Sequence, residues 1–120
     1  MVFMTTVLIG AVALLHIGFA VLEMLFWTRP LGLKVFRQSF EQAKKSQALA
    51  ANQGLYNLFL AAGLLWSLWH AEPGFAEQLQ IFFLSCVTLA GLYGAYTVNY
   101  RIFVVQALPA LIGLGLVLRN

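Results

Sequence analysis

Charge is what this chain has least of. Only 9% of its 120 residues are Asp, Glu, Lys or Arg while 62% are apolar, against about a quarter charged in an ordinary soluble domain. That balance, with a mean hydropathy of +0.86, excludes a water-soluble globular domain and points to a polytopic membrane protein. One cysteine, Cys86, excludes an internal disulfide and a cysteine-built metal centre. In a helix it reads as a small apolar side chain. No serine or cysteine has a base at an interpretable catalytic spacing, and there is no glycine-rich phosphate loop. His16 and His70 are expected on opposite sides of a bilayer and so cannot share a zinc. Nothing therefore asks for a metal or a cofactor. Basic residues form no patch outside 29–45, which excludes nucleic acid as a partner and suits a membrane surface. No Lys or Arg precedes the first apolar run and no small-residue cleavage site follows it. The run is therefore expected to be a retained span and not a secretory signal.

What is present is long apolar helix. A chain of this length has room for about four spans of roughly 20 residues in one transmembrane domain. We place them at about 2–27, 49–70, 78–98 and 102–118. Arg29-Pro30 closes the first, because the residue before a proline is biased away from the α region. Trp27, Trp66 and Trp69 mark interfaces, and Ala71-Glu-Pro-Gly is a turn. Pro109 is expected to kink the last span, and Gly113 and Gly115 allow close helix contact beyond it.

Residues 31–47 differ in kind. Leu33, Phe36, Phe40 and Ala43 recur at helical spacing, with Lys34, Arg37, Glu41, Lys44 and Lys45 largely on the other side. This predicts a short amphipathic helix lying at the membrane interface; a solvated connecting helix packed on the bundle fits the same pattern. The fold expected is all-α, an integral-membrane four-helix bundle with that interfacial helix between spans one and two. Arg29, Lys34, Arg37, Lys44, Lys45 and Arg101 fall in the first and third loops, whereas the opposite side holds Arg119 with Glu72 and Glu77. The bias puts loops one and three in the cytoplasm and both termini outside.

The first span, ALLHIGFAVLEMLFW at 13–27, carries His16 and Glu23 seven residues apart. They fall on one stripe, about 10 Å apart along the axis. Ionisable groups at membrane depth are too costly to face lipid, so both are read as functional candidates that point at protein or a wet cavity. The same topology puts Asn52, Gln53, Tyr56 and Asn57 in the first turns of span two. Tyr93, Tyr96 and Thr97 come at the end of span three, and Gln106 early in span four. All four spans thus bring hydrogen-bonding groups to one cytoplasmic layer around Glu23, with His16 at its floor; the outer half offers little beyond Thr5, Thr6, Ser67 and Ser85. We read the layer as a cavity open to the cytoplasm, lined by Glu23, His16, Asn52, Gln53, Tyr56, Asn57, Tyr93, Tyr96 and Gln106. The plainer reading is interhelical glue, which for Gln106 or Thr97 alone carries more weight. Ala90-Gly91 and Gly94-Ala95 are small-residue pairs of the helix-packing kind.

The ordering of HIGFAVLEMLFW, a basic loop, ANQGLYNLFLA and GLYGAYT resembles the small bacterial inner-membrane proteins grouped as domain-of-unknown-function family 1304. The likeness runs over essentially the whole chain. It implies a four-span inner-membrane protein and supplies no reaction. Carried over by position, His16, Glu23, Asn52, Gln53, Tyr56, Asn57, Tyr93, Gly94 and Tyr96 match the family's polar motifs. Small multidrug-resistance exporters also have four short spans and a first-span glutamate, but their wider motif is missing here.

Three functions are weighed. In the first, a small organic or amphiphilic ligand enters the polar layer and is bound or transported, with Glu23 supplying charge or exchanging a proton, since desolvation disfavours a charged carboxylate. In the second, Glu23 and His16 serve as acid and base in an intramembrane isomerase or hydrolase of a lipophilic substrate. In the third the chain is a structural or assembly subunit. Partners are the lipid bilayer, that ligand and, compatibly, further copies of the chain. No internal repeat is visible and the charge bias is strong, which argues against a dual-topology exporter. The orientation is checked by cysteine labelling in intact cells after replacing Cys86: an impermeant maleimide is expected to reach Glu72→Cys and not Arg37→Cys.

Overall fold

The computed structural model describes residues 2–120. All of its regular structure is helical: α1 (Val2–Leu25), α2 (Pro30–Phe36), α3 (Phe40–Lys45), α4 (Gln47–Trp69), α5 (Pro73–Thr97), a π-helical turn (Phe103–Ala107) and α6 (Leu108–Arg119). The helices α1, α4 and α5 are long and apolar enough to cross a membrane; the last apolar segment, Phe103–Arg119, is shorter. The chain divides into two compact units, residues 2–14 with 60–120, and Leu15–Phe59, so that α1 and α4 each contribute to both.

In the unit of residues 2–14 and 60–120, Ile9, Val12, Leu64, Leu84, Val87, Ala107, Ala110 and Val117 form the buried core. Glycines set how closely the helices approach. A Cβ on Gly63 would lie on the ring of Phe83, and one on Gly91 would sit 2.5 Å from the Ala107 nitrogen. Helix α5 starts earlier than hydropathy alone places a third span, because Ala71-Glu-Pro-Gly is itself a helix start. The Glu72 carboxylate accepts from the backbone N–H of Gly74 (2.9 Å) and Phe75 (2.7 Å), with Pro73 in the first turn. Trp66, His70 and Phe75 cluster over that turn, with the His70 and Phe75 ring centroids 4.5 Å apart.

The expected disturbance at Pro109 takes the form of the π-helical turn just before it. A proline donates no hydrogen bond and its ring crowds the carbonyl four residues back; the widened turn relieves that crowding, with the Leu108 N–H bonded to the Phe103 carbonyl. At the end of the chain Asn120 Nδ2 donates to Thr5 Oγ1 (3.0 Å).

In the unit Leu15–Phe59, the segment expected as one amphipathic helix is two. Helix α2 ends where Arg37 adopts a left-handed conformation (φ 54°). Helix α3 restarts on a capping box: Ser39 Oγ accepts from the Gln42 N–H (3.2 Å) and Gln42 Oε1 from the Ser39 N–H (3.0 Å). Trp27, the interface residue of α1's end, holds both pieces. Its ring lies 4.8 Å from that of Phe36 and its Nε1 donates to Ser46 Oγ (3.1 Å). Gly32 is buried against the Phe26 carbonyl, where a Cβ has no room.

The glycine contacts generate a contrast. Gly91→Ala forces backbone apart at Ala107 and is expected to cost about 1–3 kcal/mol, the usual range for overpacking. Gly115→Ala meets nothing within 4 Å and is expected to be neutral or to stabilise by up to about 1 kcal/mol through helix propensity. Unfolding of both variants in mixed micelles checks the difference.

Candidate functional site

The geometry around Glu23 begins with small residues. On α4 the buried stripe is Ala50, Gly54, Asn57, Ala61 and Leu64, the three- and four-residue spacing of one helix face. Within the unit Leu15–Phe59, Gly54 faces Ala20 and Met24 of α1. A Cβ there would lie 2.5 Å from Met24 Cγ and 3.2 Å from the Ala20 carbonyl oxygen. That close approach brings Asn57, one turn beyond Gly54, to Glu23: Asn57 Nδ2 donates to Glu23 Oε1 at 2.5 Å. Asn57 is buried and Glu23 half-buried. The pair joins α1 and α4.

The other candidates have separate situations. His16 is fully buried on α1, edge-on to Phe19 with ring centroids 5.6 Å apart. Asn52 turns back onto its own helix, its Nδ2 donating to the Ala48 carbonyl (2.9 Å). Gln53 is exposed, and exposed Tyr56 meets Phe59 edge-on. These residues share α4's first turns with Asn57 but not its buried stripe, so helix phase takes them away from Ala20 and Met24. Tyr93, Tyr96 and Gln106 belong to the other unit. The two tyrosines are 70% and 87% exposed; Thr97 Oγ1 donates to the Tyr93 carbonyl (2.8 Å), and Gln106 is half-buried in the π-helical turn.

The open space between α1 and α4 is apolar, where a polar cavity around Glu23 was expected. A shallow cavity of about 210 Å³ is lined by Ala20, Val21, Met24, Leu25 and Leu58. The lining residues flank Glu23 and Asn57 in sequence. The signal that could have found them is Gly54, since a glycine facing a long side chain such as Met24 marks where two helices meet and where a groove opens at their seam. Among the described residues no group of three or more His, Cys, Asp or Glu side chains is placed to hold a metal ion. Helices α1 and α4 therefore offer one hydrogen-bonded carboxyl group and, separately, an apolar trough of which Glu23 and Asn57 are not lining residues.

A family model described as "Protein of unknown function (DUF1304)" matches residues 10–118. The chain belongs to this family. The motifs HIGFAVLEMLFW, ANQGLYNLFLA and GLYGAYT that carried the resemblance all lie within the matched residues. This DUF1304 chain is also 30% identical over 118 residues to "Uncharacterized protein YpaA" of Lactococcus lactis subsp. lactis (strain IL1403), covering 95% of this chain and 96% of that one. No solved structure matches the DUF1304 chain at a significant level.

Truncating the donor tests how much the pair contributes. Asn57→Leu leaves the half-buried Glu23 carboxyl without its partner and is expected to destabilise by about 1–3 kcal/mol, the range for an orphaned polar group. In Glu23→Gln the amide oxygen can still accept from Asn57, and the cost is expected to stay under about 1 kcal/mol, near the average for hydrogen bonds between spans. Equilibrium unfolding of the two variants gives the comparison.

Proposed function

We propose that this DUF1304 chain is a four-span protein of the bacterial inner membrane, with both termini outside the cytoplasm, that binds a small amphiphilic molecule at Glu23 and Asn57. The observations that support the reading are the Glu23–Asn57 hydrogen bond and, on the same two helices, an apolar cavity walled by Ala20, Val21, Met24, Leu25 and Leu58. A polar head and an apolar tail are the chemistry that a carboxyl group and an apolar cavity on one pair of helices suit. Ligand sites are in general mostly apolar with a few placed polar groups that fix orientation. A carboxylate in a span is retained at a cost, which by default argues for use. The distribution of Arg29, Lys34, Arg37, Lys44, Lys45 and Arg101 supports the orientation. The segment Phe103–Arg119 supports a fourth crossing, since spans extend down to about 17 residues.

Photolabelling tests the reading. The purified chain in lipid nanodiscs is exposed to a diazirine-bearing dodecylamine and to its alcohol analogue, and the labelled residues are mapped by mass spectrometry. Labelling is expected on 20–25 and 58. Glu23→Gln is expected to weaken capture of the amine about tenfold or more, as loss of a charge-assisted hydrogen bond does, and the alcohol much less. Leu58→Trp, which fills the cavity, is expected to block both. Labelling spread evenly over the lipid-facing residues overturns the proposal and leaves Glu23 and Asn57 as a structural clasp.

A further inference from the structure

The segment between α1 and α4 is built, not merely connected. Ser46 and Phe36 are held by Trp27, Gly32 is buried against the Phe26 carbonyl, and Ala43 is fully buried. With its inner side committed in this way, the segment turns two kinds of group outward. Arg29, Lys34, Arg37, Lys44 and Lys45 are all exposed, with Glu41 the single acidic residue among them. Between these cations stand large apolar side chains that are also exposed: Leu31 (53%), Val35 (49%) and Phe40 (55%). The break at Arg37 and the fresh helix start at Ser39 divide the cations between α2 and α3.

Each kind of group narrows the partner. A cluster of cations beside the end of an apolar span draws anionic surface. A soluble anion would satisfy the cations and leave Leu31, Val35 and Phe40 in water, and an acidic protein would need its own apolar patch in register with them. The boundary between headgroups and acyl chains satisfies both at once, because apolar side chains dip below the phosphates while Lys and Arg reach up to them. We propose that α2 and α3 form a docking surface for anionic phospholipid headgroups, in which Lys34, Arg37, Lys44 and Lys45 contact phosphate oxygens and Leu31, Val35 and Phe40 seat in the acyl region. The surface is separate from the Glu23–Asn57 pair and does not depend on a ligand there.

The test uses the full chain reconstituted in phosphatidylcholine vesicles with trace spin-labelled phosphatidylglycerol or spin-labelled phosphatidylcholine. The immobilised fraction of each label gives the relative association. The native chain is expected to prefer phosphatidylglycerol several-fold at low salt, with the preference shrinking as salt is raised to about 1 M, where the screening length falls to about 3 Å. Each Lys or Arg replaced by Gln among Lys34, Arg37, Lys44 and Lys45 is expected to lower the preference by up to about fivefold, until none is left in the fourfold variant. Lys34→Arg, Lys44→Arg and Lys45→Arg together are expected to retain it. Replacing Leu31, Val35 and Phe40 by Ser is expected to weaken it with every cation in place. Helicity by circular dichroism shows that the variants fold; the salt titration of the native chain stands without any variant. Equal association of the two labels with the native chain overturns the proposal and turns the cations over to an acidic protein partner. Displacement of the labelled phosphatidylglycerol by millimolar glycerol phosphate also overturns it, by assigning the cations to a soluble anion.

Discussion

Helices surrounded by lipid gain little by hiding apolar side chains from one another, since acyl chains are as apolar as leucine. What can hold such helices is close packing, and close packing needs positions without side chains. Gly54 against Ala20 and Met24 in one unit, and Gly63 against Phe83 and Gly91 against Ala107 in the other, are those positions. Each brings a backbone or a large side chain into the space a Cβ would fill. The Glu23–Asn57 bond depends on the first of them, because the reach of an asparagine is short and only a close seam lets it span two helices. Packing and polar pairing are thus one arrangement, in which the glycine sets the distance and the amide uses it.

The helical class and the membership of the family were legible in the sequence, since hydropathy and the order of the motifs are strong signals; the ends of the helices were not, because α1 stops at Leu25, Pro30 opens α2 instead of closing α1, and Ala71-Glu-Pro-Gly starts α5. The Glu23 partner, Asn57, is one of the polar residues that the sequence gathered into a layer around it. Choosing among Asn52, Gln53, Tyr56 and Asn57 needed the phase of α4. That phase is written in Ala50, Gly54 and Ala61, the small residues that share Asn57's face, and the four polar residues alone do not reveal it. Depth along a helix without its phase gathers residues that face different ways. The break inside residues 31–47 escaped for a related reason. Periodicity extends smoothly across it, while the stop at Arg37 is a backbone conformation and the restart at Ser39 is a side-chain hydrogen-bond pattern, neither of which hydrophobic spacing registers.

The two ends of this chain's logic meet in its few charges. Where a carboxylate lies within a span, the structure gives it an amide. Where cations cluster, it places them outside on short helices whose inner side is fastened by Trp27 and relieved of bulk at Gly32. Trp27 is therefore more than an interfacial marker. An indole ring that lies tilted against Phe36 while its N–H engages Ser46 ties a helix end to chain almost twenty residues onward. This gives a connecting segment the fixed geometry that solvated loops lack.

The π-helical turn at Phe103–Ala107 makes α6 tolerant in an unusual way. Removing one residue from an α-helix rotates all that follows by about 100°, given 3.6 residues per turn, and would swing Ala110, Gly113 and Val117 out of their buried positions. A π turn already holds one residue more than the α path requires. A deletion within 103–107 could close the turn to an α-helix and leave the buried face of α6 where it is. The strain would then move to Pro109, whose ring would meet the carbonyl that the wide turn now holds clear. The surplus residue and the proline are in this sense a matched pair: a lineage could lose both together without turning the helix, but not the surplus residue alone without bending it.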